Sequence, residues 1–264
     1  MHSFDYRRPL TLAEAGRALT ELKGAKLLAG GQSLIPAMKL KLNRPEAIVD
    51  LSGVTELIEI EREGDFLVLG AMTSHAEIAA SKVVQGAITG LAHLAGEIGD
   101  PQGRNRGTIG GSLANNDPAA DYPAAVLALD AAMKTNQRAI AAENYFKGLF
   151  ATALTDDEIL SQIIIPIPKR FAYAKFPNPA SRFALVGVAV AETDQGIRVA
   201  VTGAGLGGVF RVAKMEAALA KSFTPEALDG IEVDPLRLTS DIHASADYRA
   251  HLIGVMAKRA VKAA

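Results

Sequence analysis

The sequence predicts a protein of the α+β class with a distinct C-terminal part, and two patterns lead to this prediction. Short apolar runs that end at Gly, Pro or Asp alternate with amphipathic stretches over roughly the first 160 residues. After Gln162 the pattern changes to two longer apolar runs joined by a polar turn, which is typical of an antiparallel hairpin. The alternation alone is compatible with α/β or α+β. A chain of 264 residues holds one large domain or two modest ones.

The N-terminal elements follow from apolar spacing and from capping residues. Thr11 predicts the start of a helix of about three turns, with Glu14 as its capping-box partner. Apolar runs bounded by turn residues predict strands at 26–29, 47–51, 66–70 and 163–168. Helices are expected at 35–41, 75–80 and 90–99. Asp156, Asp157 and Glu158 are interpreted as the cap and acidic first turn of a further helix.

The C-terminal elements are two strands and two helices. We expect the strands at 183–191 and 197–202 and the helices at 212–221 and 246–261. The change of pattern predicts a domain boundary near Pro168.

Composition excludes several classes of function. Lys and Arg number 28 against 29 Asp and Glu, so the net charge of -1 gives no reason to expect a nucleic-acid partner. The absence of cysteine excludes disulfides, a thiolate nucleophile and a cysteine-ligated iron–sulfur cluster on this chain. The spacing of the five histidines gives no metal-binding motif. No apolar run approaches the roughly 18 residues that span a bilayer, so we expect a soluble cytoplasmic protein.

A G-x-G-x-x-G pattern occurs at 203–208, after an apolar strand. A nicotinamide-binding βαβ unit would need a second parallel strand ending in an acidic residue about 20 positions later. The residues that follow, 222–230, have turn and helix-start chemistry instead, and the preceding strand belongs to a hairpin. We therefore interpret 203–208 as a tight turn that leaves an antiparallel sheet, with dinucleotide binding as the alternative.

Two other segments carry the candidate chemistry. In the first, residues 26–34, a strand ends in two glycines followed by Gln, Ser and a helix, which suits a backbone site for an anion. The second, residues 100–121, is rich in Gly, Thr, Ser and Asn without helical or strand periodicity, so we expect a long polar loop. Simple turn chemistry and a solvated surface loop remain the alternatives. Two such segments in one domain indicate a bound dinucleotide more strongly than either segment does alone.

The segments Ala29-Gly30-Gly31-Gln32-Ser33-Leu34 and Arg104-Asn105-Arg106-Gly107-Thr108-Ile109-Gly110-Gly111-Ser112 resemble the FAD-binding medium subunit of molybdenum hydroxylases, the carbon monoxide and xanthine dehydrogenase type. The likeness covers nearly the whole chain, including Val49-Asp50-Leu51, Gly70-Ala71-Met72-Thr73 and Asp247-Tyr248-Arg249. The resemblance implies a non-Rossmann FAD-binding domain over 1–168, made of two α/β subdomains at about 1–52 and 53–168. A C-terminal domain with a small antiparallel sheet and helices would occupy 169–264.

The resemblance also implies a set of residues that contact FAD. The first segment would line the pyrophosphate through Lys26, Leu27, Leu28, Ala29, Gly30, Gly31, Gln32, Ser33 and Leu34. The second would hold the phosphates and the ribityl chain from the other side through Thr108, Ile109, Gly110, Gly111, Ser112, Asn115 and Asp121. Ala71 and Gly99 would pack on the cofactor, and Lys175 would lie near the isoalloxazine ring, with a solvated lysine as the alternative.

Two departures from the family pattern concern Gln32, where His or Thr is common, and Phe183, whose segment lacks the family's acidic residue. No catalytic residue is assigned. The resemblance implies an electron-transfer subunit of a heterotrimer, or of a dimer of heterotrimers. Its partners would be a small subunit with two [2Fe–2S] clusters and a large molybdopterin subunit where substrate is oxidised. Electrons would pass from molybdenum through the clusters and FAD to an external acceptor. The alternatives are a self-contained NAD(P)-dependent dehydrogenase that uses 203–208, and a structural subunit without flavin.

Overall fold

The computed structural model describes residues 2–264, which form four β-sheets surrounded by helices. The first sheet is parallel, in the order β1-β3-β2, and the second is antiparallel, in the order β4-β5-β10-β6-β7. The third, β11-β12-β13-β14, and the small pair β8-β9 are also antiparallel. This architecture confirms the predicted α+β class with a C-terminal antiparallel sheet.

The elements run from β1 to α11 in chain order. The strands are β1 Asp5–Arg7, β2 Ala25–Leu28, β3 Ala47–Asp50, β4 Ile60–Glu63, β5 Phe66–Gly70, β6 Ala132–Thr135, β7 Ala139–Ala141, β8 Phe146–Gly148, β9 Ala151–Thr152, β10 Leu160–Pro166, β11 Arg170–Pro177, β12 Ala184–Thr193, β13 Gly196–Thr202 and β14 Phe210–Arg211. The helices are α1 Leu12–Glu21, α2 Leu34–Lys39, α3 His75–Ala80, α4 Lys82–Ala87, α5 Thr89–Gly96, α6 Pro101–Arg106, α7 Ile109–Asn115, α8 Tyr122–Ala128, α9 Ala142–Tyr145, α10 Ala213–Leu219 and α11 Ala246–Ala263. Among residues 2–264, no helix is long and apolar enough to cross a membrane.

Capping residues start several of these helices where the sequence predicted them. Thr11 Oγ1 accepts a hydrogen bond from the backbone N–H of Glu14. The Glu14 carboxylate reaches Leu10 N rather than the N–H of the cap residue, so only half of the predicted capping box forms. At α3 the box is complete, because Ser74 Oγ accepts from Glu77 N while the Glu77 carboxylate accepts from Ser74 N.

The sheet β11–β14 is buried on both of its faces. Val186, Val188 and Val190 of β12 pack with Met256 and other residues of α11 in one hydrophobic core. On the opposite face, Tyr173, Ala189, Ala191 and Ala200 belong to the core that also contains β5, α5, α7 and α8. This double burial explains why β12 is an almost continuous apolar run rather than an alternating one. It also places the C-terminal sheet directly against the helices of the region 53–168.

The prediction of one long loop over 100–121 is wrong, because two short helices, α6 and α7, occupy most of this segment and α8 follows it directly. Asp100 Oδ1 accepts from Gly103 N at 2.5 Å, and Pro101 holds the first helical position of α6. Thr108 Oγ1 then accepts from Gly111 N at 3.1 Å to cap α7. The apolar period was not visible because α6 contains no buried residue and is only one and a half turns long.

The glycine pattern at 203–208 is a turn between antiparallel strands. It connects β13 to β14, and these two strands pair antiparallel through Ala200 and Val201. A parallel strand that would complete a βαβ unit does not follow it in the described chain. The interpretation as a tight turn is therefore confirmed, and the nicotinamide-binding alternative has no structural support.

The prediction of a helix start at Asp156, Asp157 and Glu158 is wrong. This segment is a turn before β10, and the Glu158 side chain points inward with 1% of its surface exposed. Its carboxylate accepts from Arg138 Nε at 2.7 Å and Nη2 at 3.0 Å, and from Thr155 N at 2.9 Å. These donors provide hydrogen bonds to the buried carboxylate. In the first turn of a helix, the carboxylate would instead point outward. The Arg138 hydrogen bonds, acting against burial, lower the pKa of Glu158 to about 2.

Replacing Glu158 by Gln should destabilise the protein above pH 5 and have progressively less effect below that. A carboxyl whose pKa is lower in the folded protein stabilises it above the unfolded pKa of about 4.5, and this stabilisation is lost as pH falls towards 2. Because Arg138 is 51% exposed, screening by water reduces the expected effect to about 1–2 kcal/mol at pH 7. Urea unfolding of both proteins at several pH values measures it. A difference in unfolding free energy that is the same at pH 7 and pH 3.5 would contradict this account.

Candidate functional site

The first part of the site is the turn between β2 and α2, formed by residues 30–34 and called here the first loop. Its five consecutive backbone N–H groups donate to no acceptor in the described chain. Gly30 and Gly31 are half-buried, and Gln32 and Ser33 are exposed. Gly31 has φ +75°, which turns successive amides towards the same side. A row of unpaired amides of this kind suits an anion such as a phosphate.

The first loop lies in direct backbone contact with the junction of α6 and α7. A Cβ atom on Gly30 would lie 2.1 Å from the backbone O of Arg106, so a side chain has no room there. A Cβ on Gly111 would lie 3.4 Å from the Cβ of Ala29. The two segments that the sequence analysis selected therefore meet in space, as a shared binding site requires.

Helix α7 rests on the segment that follows β5. Gly110 N donates to Ala71 O at 2.8 Å, and a Cβ on Gly110 would lie 2.5 Å from the Cβ of Ala71. Ile109 N donates to Thr73 O at 3.1 Å. With Gly111 N bound to Thr108, three amides of the first turn of α7 are already used inside the protein. Polar side chains rather than these amides are therefore available for a ligand on this side.

The polar side chains in question are Ser112 and Asn115. Both are half-buried, and neither side chain makes a hydrogen bond within residues 2–264. Of the predicted strand positions, Lys26 is exposed, while Leu27 packs against the small core beside α1. Leu28 is half-buried and Leu34 begins α2. The side chains of 26–28 thus belong to the strand that supports the first loop.

A second part of the site is a buried polar cluster, defined here as the side chains of Asp121, Tyr173 and Lys175 with the backbone carbonyl of Glu97. Tyr173 donates to Asp121 Oδ1 at 2.5 Å, and Lys175 Nζ lies 3.1 Å from the same oxygen. Lys175 Nζ also donates to Glu97 O at 2.9 Å. The side chains of Lys175 and Asp121 are only 4% and 5% exposed. The interpretation of Lys175 as a solvated lysine is therefore not supported.

Burial sets the protonation of this cluster. It raises the pKa of Asp121, and the Lys175 charge and the Tyr173 hydrogen bond oppose that rise. Burial, with Asp121 as a further cause, holds the pKa of Tyr173 well above its ordinary value, so Tyr173 remains a hydrogen-bond donor. Lys175 and Asp121 thus form a buried pair of a basic and an acidic side chain.

His75 and Tyr122 connect the two parts of the site. The His75 ring lies below Gly107, since a Cβ there would be 2.6 Å from His75 Nε2, and its centroid is 5.3 Å from that of Tyr122. Burial, followed by the nearby Arg104 charge, lowers the pKa of His75 to about 4, so the ring is neutral at pH 7. His75 Nδ1 and Tyr122 OH are buried without a hydrogen-bond partner in the described chain. Such atoms have polar capacity left for water or for a ligand.

Sequence reasoning missed two residues of this region. Arg104 Nη1 donates to Ile98 O at 3.0 Å and Gly99 O at 3.1 Å, and it thereby ties α6 to the turn that contains the predicted residue Gly99. The second is Tyr173, which is not among the FAD-contacting residues that the resemblance implies. Alternation along a strand places residues 173 and 175 on one face, and this period-two signal could have identified Tyr173.

Comparison with known proteins agrees with this geometry. Residues 2–168 match the family described as the FAD binding domain in molybdopterin dehydrogenase. The chain is 35% identical to the carbon monoxide dehydrogenase medium chain of Hydrogenophaga pseudoflava, over 99% of this chain and 96% of the relative. It is 34% identical to the nicotine 6-hydroxylase medium subunit of Paenarthrobacter nicotinovorans, over 97% and 95%.

Solved structures give the same result over the whole chain. A structure of carbon monoxide dehydrogenase from Hydrogenophaga pseudoflava superposes with a TM-score of 0.90 at 35% identity, covering 100% of this chain and 97% of the other. Quinoline 2-oxidoreductase from Pseudomonas putida 86 gives 0.89 at 29% identity, with the same coverage. Together with the glycine-lined site, these matches establish that the chain belongs to the FAD-binding subunits of the molybdopterin dehydrogenases, a family of electron-transfer flavoproteins within multi-subunit oxidoreductases.

Proposed function

We propose that the first loop holds the diphosphate of FAD through its backbone amides, and that the remaining predicted residues surround the rest of the cofactor. The row of five unpaired amides at 30–34 carries this proposal, because it is a preformed donor array without an acceptor. Gly30 and Gly110 keep the neighbouring backbones close enough for one ligand to touch both segments. Ser112 and Asn115 supply unpaired polar side chains on the opposite side.

In this proposal the buried cluster supplies a second contact with FAD, the Lys175 side chain. Lys175 reaches the cluster from β11 of the C-terminal sheet, while Asp121 begins α8 and Glu97 ends α5. A paired and nearly buried ammonium would interact more strongly with the electron-rich part of a flavin than an ammonium in water. Asp121 is occupied by Lys175 and Tyr173, so its main contribution is to hold the lysine.

When bound, FAD supplies a carrier that can take up electrons singly and release them singly or in pairs. This chain contains no cysteine, so a cysteine-ligated cluster that delivers the electrons must belong to another subunit. The relatives named above are medium chains or subunits, which supports an assembly with other chains. We propose a heterotrimer, or a dimer of heterotrimers, with a small [2Fe–2S] subunit and a large molybdopterin subunit, located in the cytoplasm.

The purified chain, supplied with FAD if it is colourless, should hold one flavin non-covalently. The expected observation is a flavin absorbance band at about 450 nm together with release of FAD on denaturation. A folded chain that takes up no flavin would contradict the proposed site for the isolated subunit. It would favour either a structural subunit or a site that only the partner subunits complete.

Substituting Gly31 by Ala should weaken FAD binding about tenfold or more. Gly31 has φ +75°, and its new Cβ would lie 2.7 Å from Ile35 Cδ1, so the row of amides must change its orientation. Gly64→Ala is the matched control, because Gly64 has φ +59° but open space around it in a turn remote from the site. Fluorescence titration of FAD compares both variants with the original chain. Equal losses of affinity in the two variants would argue against a role of the first loop.

Substituting Gly30 by Ala should disrupt the contact between the two segments and reduce both FAD affinity and stability. The new Cβ would meet the backbone O of Arg106, which cannot move aside as a side chain can. We expect a loss of about 1–3 kcal/mol of unfolding free energy. Gly207→Ala, in the glycine pattern at 203–208, has nothing within 4 Å and should leave FAD affinity unchanged. Loss of flavin from the Gly207 variant would reopen the alternative site.

A further inference from the structure

The neighbouring strand, β12, leaves space for the Tyr173 side chain to reach the buried cluster. This side chain is almost fully buried, and its hydroxyl donates to Asp121 Oδ1 at 2.5 Å. On β12, a Cβ at Gly187 would lie 2.1 Å from the Tyr173 hydroxyl oxygen, so only glycine leaves room for it. Two strands of the C-terminal sheet therefore place one hydroxyl against the carboxyl group of Asp121, the residue directly before α8.

One oxygen of Asp121 receives two partners. The Tyr173 hydroxyl and the Lys175 ammonium, 3.1 Å away, both face Oδ1. Both interactions favour the ionised carboxylate, whereas burial favours the protonated form. Because the carboxylate is the only acidic partner within 4 Å of Lys175 in the described chain, its charge determines whether the ammonium stays paired.

Other titratable groups also face the cluster. Burial is the main cause of the raised pKa of Asp121 and Tyr173, and the Glu97 carboxylate, directly after α5, raises both further. This carboxylate lies 3.5 Å from His93 Nε2. From α8, Tyr122 adjoins Asp121 with a pKa well above the ordinary value because of burial. Tyr122 and Tyr173 thus remain protonated through the neutral range. Among the side chains of the described residues that contact Lys175, Asp121 is the only carboxyl, and burial raises its pKa above the ordinary value.

We propose that Tyr173 is a positioning residue for FAD, whose hydroxyl keeps Asp121 ionised so that the carboxylate holds the Lys175 ammonium in place at the cofactor site. The inference rests on the proposed placement of FAD between the first loop and Lys175. Tyr173 acts through two other side chains and does not itself need to touch the cofactor. Like Lys175, Tyr173 belongs to β11 of the C-terminal sheet, which lies outside the residues that match the family of FAD-binding domains.

The expected signature is a pH dependence of FAD affinity. As pH falls, Asp121 takes up a proton, Lys175 loses its anionic partner, and the affinity should fall several-fold around one midpoint pH. Removing the Tyr173 hydroxyl withdraws a hydrogen bond from the ionised form only, so Asp121 should protonate at a higher pH. The midpoint should therefore move upward by about one pH unit.

The experiment measures the dissociation constant of FAD by fluorescence titration from about pH 4.5 to 8.5, within the range where folding is confirmed by circular dichroism. Tyr173→Phe should raise the midpoint, and Tyr145→Phe, a buried tyrosine outside the cluster, should not move it. Asp121→Asn should abolish the midpoint. Tyr173→Phe should then have no further effect on the pH profile in the Asp121→Asn background, because it acts through Asp121.

Full-length protein with 3-fluorotyrosine at position 173 provides a second test that preserves the shape of the side chain. Its more acidic phenol donates a stronger hydrogen bond, so the midpoint should move downward. The proposal is overturned if the original chain binds FAD without a midpoint, or if both substitutions at Tyr173 leave the midpoint unchanged or move it in the same direction. Failure of the original chain to bind FAD at any pH would instead refute the proposed site itself, which separates the two outcomes.

Discussion

The close approach of three backbone segments is the constraint on which the rest of the site depends. The first loop touches the α6–α7 junction at Gly30, and α7 touches the end of β5 at Gly110. Each contact is shorter than any side chain would permit, so the segments can meet only through glycine. The amides of 30–34 are therefore held in place by packing rather than by hydrogen bonds of their own. This arrangement leaves them available to a ligand.

Much of the fold could be predicted because burial and capping act locally. The strands at 66–70 and 197–202 are apolar runs between turn residues, and Thr11 and Ser74 cap helices in the usual way. The segment 100–121 could not be predicted, because helices of six or seven residues with several glycines show no clear period. Glu158 was misassigned for a related reason. An acidic cluster resembles a helix start unless a distant arginine is known to pair with it.

The first loop of the candidate site could be predicted from the sequence, whereas the contacts of the buried cluster could not. The glycines of the first loop are visible in the sequence as a Gly-Gly turn between a strand and a helix, a pattern that suits an anion but also occurs in ordinary turns. The contact of Asp121 with Lys175 was not visible, since it depends on the packing of the C-terminal sheet against α8. Residues from separate elements meet there only after the core has formed. The double burial of β12 and the glycine at position 187 are what allow this meeting.

The two parts of the site also differ in what they demand of the sequence. Backbone amides keep their donors whatever side chain is present, so the side chains of Gln32 and Ser33 can vary as long as the loop keeps its path. A buried ion pair is different, because desolvation costs several kcal/mol per ion and every donor and acceptor must be matched. Apolar residues of the same size would often stabilise a core equally well. A buried Asp121–Lys175 pair therefore adds little to stability, which favours a role for its charges in the proposed site. In the proposed site, the amide cradle would bind the cofactor and the ion pair would set the charge near it.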